Sequence, residues 1–78
     1  MEKTFGEVEF RSEFFHDLQQ GSIGFKLFQH FAGVVKHVAS VTYWEGDGHF
    51  YIETFESDIP VEVAEWLIAE AKDRVKLK

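Results

Sequence analysis

Four histidines, His16, His30, His37 and His49, are the residues of this 78-residue chain best suited to bind a transition metal or to shuttle protons near neutral pH. Their separations are 14, 7 and 12 residues, which makes no i, i+4 helical pair, and no cysteine is present to complete a ligand set. His30 and His37 would share a helical face only if a helix ran through Gly33. Paired carboxylates could do acid/base work if burial separated their pKa values. The candidates Glu45, Asp47 and Glu53 lie on or near a Gly-rich turn, and Glu56 and Asp58 lie in the segment after it, where solvent is expected. His49 beside Asp47 resembles a dyad in sequence only, because neighbours in a tight turn do not converge on a cleft. Ser12, Ser22, Ser40 and Ser57 sit in no Gly-x-Ser-x-Gly elbow. Gly21-Ser22-Ile23-Gly24 lacks the Gly-Lys-Ser/Thr ending of a phosphate-binding loop. The expectation is therefore a protein without catalytic residues, metal or cofactor.

The aromatic residues carry more information. Nine Phe, two Trp and two Tyr are present, and each such ring can bury about 150–250 Å². Residues 38–55 read as a β-hairpin folded at Glu45-Gly46-Asp47-Gly48, with large side chains on both faces. A two-residue loop at Gly46-Asp47 suits a type II′ turn, with Gly46 at positive φ. It pairs Tyr43 with Phe50, Val41 with Ile52 and Ala39 with Thr54. A three-residue loop using Gly48 in the left-handed position instead sets Val41 against Glu53, and a one-residue slip exchanges the faces. The two-residue loop is favoured because apolar then meets apolar on one face. In that register Val38, Thr42, Trp44, Tyr51 and Phe55 share the opposite face, with Ser40, His49 and Glu53 among them. Exposed apolar clusters of this kind mark interfaces. Two coverings are open: the chain's own 12–20 segment, through Phe14, Phe15 and Leu18, or another protein.

The elements that position these residues follow from period and punctuation. Residues 4–11 alternate as a half-buried strand, with Thr4, Gly6, Val8 and Phe10 on one side. Residues 12–20 fit either a continuation of that strand or a helical turn, since Phe14 and Leu18 are four apart. Asp17 with Gln20 has capping-box spacing, and Ser22 is a rival N-cap. Ile23, Leu27 and Phe31 recur every four residues, with Phe28 and Val35 beside them, and predict a helix ending near Gly33. Strands follow at 34–44 and 49–55. A second helix is expected from about Ile59 to Val75, with Asp58 as N-cap and Pro60 in the first turn. Glu62 and Glu65 lie near its positive end, Lys72, Arg74 and Lys76 near its negative end, and Glu70 is spaced to pair with Arg74. Its buried stripe is Val63, Ala64, Leu67, Ile68, Ala71 and Val75. The predicted architecture is a two-layer α+β domain in β-α-β-β-α order, spanning residues 1–78, with an antiparallel sheet and two helices on one face.

Size and charge bound the partners. The net charge is −6, and eight acids between Glu45 and Glu70 meet no base, while Lys26 and Lys36 are the only charges between residues 22 and 44. Nucleic-acid affinity comes from neutralising phosphates with Lys and Arg, so an acidic chain with eight scattered bases is not expected to bind it. No apolar run approaches the roughly 20 residues that span a bilayer, and no secretory leader is evident. The absence of cysteine fits a reducing compartment, and the cytoplasm is the expected location. The leading functional expectation is a non-enzymatic interaction or regulatory module, self-associating as a homodimer through the aromatic sheet face or binding another protein there. The alternative is an acidic inhibitor or decoy whose Glu45–Glu70 block binds a basic groove of a nucleic-acid-handling protein.

Overall fold

The computed structural model describes residues 1–75, so Lys76 and Lys78 of the basic tail lie outside the described residues. The strands are β1 (Glu2–Phe5), β2 (Val8–Asp17), β3 (Ser22–Phe31), β4 (Val34–Trp44) and β5 (His49–Thr54), followed by one helix, α1 (Val61–Arg74). The strands form an antiparallel meander in the order β1-β2-β3-β4-β5. The expected β-α-β-β-α order is therefore wrong: residues 22–31 are a strand, and a single helix packs on the sheet. The reason lies in the repeat itself. Ile23 and Leu27 are four apart, and four is a multiple of the strand period of two as well as near the helical turn. Phe25 completes the strand pattern between them, and Phe25 and Leu27 are buried in the core. Gly21 and Gly33, which could flank a helix, instead sit at the hairpin turns on either side.

Each connection has recognisable turn chemistry. Gly6-Glu7 joins β1 to β2, so residues 4–11 are not one strand but two strands and a turn. Asp17 does not cap a helix; its Oδ1 accepts the backbone N–H groups of Gln19 and Gln20 at 3.1 and 3.2 Å and so organises the four-residue β2–β3 loop. Ala32-Gly33 form the two-residue turn between β3 and β4, with φ of 49° and 78°, the pair of positive values a type I′ turn needs. The β4–β5 ladder holds the expected pairs Tyr43–Phe50, Val41–Ile52 and Ala39–Thr54. The turn differs from the expectation. The loop is Glu45–Gly48, and Gly48 rather than Gly46 has positive φ, with its N–H donating to Trp44 O at 2.8 Å. A four-residue loop centred on the same two residues preserves the register of the two-residue one. This loop meets the β2–β3 loop through Glu45 N–H donating to Gly21 O at 2.9 Å.

The core lies between one sheet face and α1. Phe10, Phe25, Leu27, Ala39 and Val41 from the strands meet Val63, Leu67 and Ala71 from the helix, and Val75 is buried as well. The i, i+4, i+8 spacing of the three helix residues makes one stripe, as expected. Pro60, not Asp58, occupies the N-cap, and no side chain caps it. Glu70 does not pair with Arg74. It accepts the Ser12 hydroxyl at 2.6 Å and ties α1 to β2, while the Arg74 guanidinium lies over the Phe14 ring at 5.1 Å. Between Leu27 and Phe28 the β3–β4 register shifts: Leu27 pairs with Ala39 and Phe28 with His37. Val38 is the extra residue of this β-bulge, and both Val38 and Ala39 are fully buried.

Candidate functional site

The helix covers one face of the sheet, and the other face is open. The β2–β4 registers place Phe15 opposite Gly24 and Gly24 opposite Thr42, and Thr42 pairs in turn with Tyr51. One residue pair further on, Asp17, Ser22, Trp44 and His49 lie side by side. Thr42, Trp44 and Tyr51 are thus brought together as expected, with Trp44 37% and Tyr51 50% exposed. They line a depression of about 340 Å³ with Ile52 and Glu53. A second depression of about 320 Å³ lies on the other side of Trp44, bounded by Phe15, Ser22 and Lys26.

One expected member of the face lies elsewhere, and another lies on it but apart from Trp44 and Tyr51. Val38 belongs to the core, because the bulge turns it inward beside Ala39. Phe55 follows the last strand residue and packs its ring 4.7 Å from that of His37, which stacks in turn on Phe28 at 5.1 Å. These three rings form a separate, half-buried cluster at the far end of the open face. Between the clusters runs the polar row Glu13, Lys26, Ser40 and Glu53. The 12–20 segment does not fold over the face. Residues 12–17 continue β2, Phe14 packs edge-on against Phe25 at 5.5 Å, and Leu18 in the following loop is 80% exposed. Phe15 and Phe28 are open-face residues that sequence reasoning missed; strand alternation through residues 22–31 was the signal that could have placed them. Phe31, which the same repeat assigns to a helix, is exposed at the β3–β4 tip, beside the exposed Val35 of β4.

The polar groups of the face bond chiefly to one another and to nearby backbone. His37 Nε2 lies 3.0 Å from Ala39 O and 2.9 Å from Ser40 Oγ. A carbonyl only accepts, so Nε2 carries the proton and donates it. These two contacts hold the His37 ring across the bulge at Val38. The His49–Asp47 contact is made by the His49 backbone N–H, which donates to Asp47 Oδ1 at 3.0 Å. Among the described residues no group of three or more His, Cys, Asp or Glu is arranged to hold a metal ion, and no helix is long and apolar enough to cross a membrane. The acid block is divided: Glu45 and Asp47 lie in the β4–β5 loop, Glu53 on the open face, and Glu62 and Glu65 on the helix.

One hydrogen bond on this face titrates. Tyr51 OH donates to Asp47 Oδ2 at 2.5 Å. That bond, helped by the His49 N–H, holds the Asp47 carboxyl below its ordinary value of 3.8. The same bond, then the carboxylate charge, pushes the Tyr51 hydroxyl above 10.0. A lowered carboxyl stabilises the fold above its unfolded value, and the contribution is lost as pH falls through the lowered one. A raised phenol contributes below pH 10.0 and loses that contribution as pH rises through its folded value. Asp47→Asn is accordingly expected to move the Tyr51 ionisation to lower pH in a tyrosinate absorbance titration. A curve identical to that of the unsubstituted protein would show that the bond does not persist in solution.

Comparison of the chain with family models, with curated proteins and with solved structures finds no match.

Proposed function

We propose that this chain is a non-enzymatic interaction module that self-associates through the open face of its sheet. The observation that carries this reading is the exposure of Trp44 and Tyr51 on either side of Thr42, on a sheet that its helix covers on one face only. Trp and Tyr supply large contact area with few rotatable bonds, which is why they dominate the energetics of interfaces. The partner is protein rather than nucleic acid, since the face offers few free cations. Arg11 is ion-paired with Glu2 at 3.1 Å and Glu9 at 3.2 Å, and the Lys26 ammonium lies over the Phe15 ring at 5.7 Å, with Glu13 opposite it in register. Phosphate neutralisation would require such bases to be unengaged. The acidic-decoy reading is weaker because its acids are split between a loop, the sheet and the helix. In this reading the module works in the cytoplasm, in keeping with its lack of cysteine.

Light scattering coupled to size exclusion tests the proposal. The expected result is a concentration-dependent mass above that of the monomer, which Trp44→Glu lowers while the far-ultraviolet circular dichroism is unchanged. A strict monomer at high concentration, with a stability and solubility indifferent to Trp44→Glu, would overturn it. Added salt separates the two kinds of contact, because binding through acids weakens with ionic strength and an aromatic contact does not.

A further inference from the structure

The sheet has two edges, and they are not alike. β1 is four residues long and carries Glu2 and Lys3, the short, charged form that blunts an edge against pairing. β5 is six residues long and bears Phe50, Tyr51 and Ile52 in succession, with no proline, lysine or bulge. Its free backbone groups can be assigned. Phe55 N–H donates to Val38 O at 3.0 Å, so the backbone at residue 55 points toward β4. Backbone direction alternates along an antiparallel strand. His49, Tyr51 and Glu53 therefore also point toward β4, and Phe50, Ile52 and Thr54 present their N–H and C=O groups outward.

We infer that β5 is a second self-contact, at which a copy of this chain adds its own β5 antiparallel about a two-fold axis at Ile52. In that register Phe50 pairs with the copy's Thr54, Ile52 with the copy's Ile52, and Thr54 with the copy's Phe50, so every outward N–H and C=O of the three residues finds a partner. On the helix side Ile52 meets its own symmetry mate. On the open side Tyr51 lies opposite the copy's Glu53, and no like charges are opposed. Centring the axis on Glu53 would set carboxylate against carboxylate, and centring it on Tyr51 would leave Thr54 without its partner. This self-complementarity selects a second copy as the occupant rather than an unrelated strand. Ile52 is 50% exposed beside a shallow cavity of about 200 Å³ lined by Val41, Phe50 and Ile68, which the incoming strand would cover.

A two-fold axis perpendicular to the sheet keeps both helices on one side and both open faces on the other. The edge contact thus joins two five-stranded sheets into one of ten strands and leaves Thr42, Trp44 and Tyr51 of both copies on a continuous surface. It extends the function proposed above but is made through the outward backbone groups of Phe50, Ile52 and Thr54.

Amide hydrogen exchange combined with light scattering decides the matter. The Phe50, Ile52 and Thr54 amides have no partner within the sheet, so their protection should appear only as concentration rises. Ile52→Lys, which brings two ammonium groups together on the axis, should abolish that protection and weaken association about tenfold or more. Thr54→Pro should do the same while sparing the β4–β5 ladder, since it removes an outward N–H only. Trp44→Glu should leave the three amides protected. Free exchange at these amides in a sample that scatters as a dimer overturns the edge contact and leaves the open-face reading standing. Protected amides with a mass indifferent to Trp44→Glu uphold the edge contact and overturn self-association through the face. A monomer with freely exchanging amides overturns both.

Discussion

Gly24→Ala is expected to remove about 3 kcal/mol of folding stability or more. Gly24 lies in mid-strand, between Phe15 on β2 and Thr42 on β4. A Cβ placed there would run into the Val41 carbonyl oxygen and lie 3.0 Å from Val41 C and 3.1 Å from Thr42 Cα. All three are backbone atoms of the adjacent strand, so no side chain can rotate away to make room. The strands would have to part at a point where β3 and β4 bury Phe25 and Val41 against the helix. A chain of this size has about 4–12 kcal/mol of stability in total, so the loss should lower the melting temperature by on the order of 15 °C. Gly46→Ala is the control. Nothing lies within 4 Å of its added methyl and its φ is not positive, so alanine should be neutral or slightly stabilising by restricting the unfolded chain. Equal melting temperatures for the two variants would show that β3 and β4 are not as close at Gly24 as described.

Gly24 also marks where the sequence was hardest to read. Within a helical pattern it is a weak residue near the start. Within a strand it is a close-approach site, and that interpretation was available from Phe25 and from the alternation of Ser22, Gly24 and Lys26 with Ile23, Phe25 and Leu27. The i, i+4 repeat of Ile23, Leu27 and Phe31 did not discriminate, because both periods contain it. Residues 4–11 failed differently: a two-residue turn at Gly6-Glu7 interrupts the chain without leaving a longer gap in the apolar pattern. By contrast β4, β5 and α1 were legible. β-Branched and aromatic runs flank a Gly-rich turn in the first two, and a long 3.6-residue stripe begins just after Pro60 in the third. The site followed the elements. Trp44 and Tyr51 are legible because the turn chemistry sets the β4–β5 register, and Phe15 is not, because the i, i+4 repeat of β3 hides its partner strand.

The open face also changes what the proposed self-association has to accomplish. Had the 12–20 segment folded across the sheet, Trp44 and Tyr51 would be core residues and the surface would carry no contact. With β2 continuing through Asp17, no large apolar side chain among the described residues covers these rings, and the proposed self-association would supply the cover. The row Glu13, Lys26, Ser40 and Glu53 then separates two aromatic clusters of different character. Phe28, His37 and Phe55 satisfy one another by stacking and need no partner. Trp44 forms no ring contact within the described residues that would substitute for one, while Tyr51 is held in place by Asp47. The proposed contact therefore centres on the half of β4 nearer the Glu45–Gly48 loop.

The bulge at Val38 draws the boundary of that half, and it makes the second large prediction. Simple alternation from Thr42 would put Val38 on the open face with it, where a polar substitution costs little. In the structure Val38 is 0% exposed and packs among Leu27, Val63 and Leu67. Val38→Asp forfeits about 1.5–3 kcal/mol of apolar burial and leaves a carboxylate in the core with no cation to pair it, a further cost of several kcal/mol. The sum rivals the whole stability of the chain, so the variant is expected to show no cooperative unfolding transition. Thr42→Asp, two pairs along the same strand on the solvated face, should melt within a few degrees of the unsubstituted protein. Val38→Ala, which cannot unfold the chain by charge, should still cost about 1–2 kcal/mol through the cavity it leaves. Matching, mild effects for Val38→Asp and Thr42→Asp would mean that alternation runs unbroken through β4. His37 would then lose its place over Phe28 and its bonds to Ala39 and Ser40, and the contact surface would extend the full length of the strand.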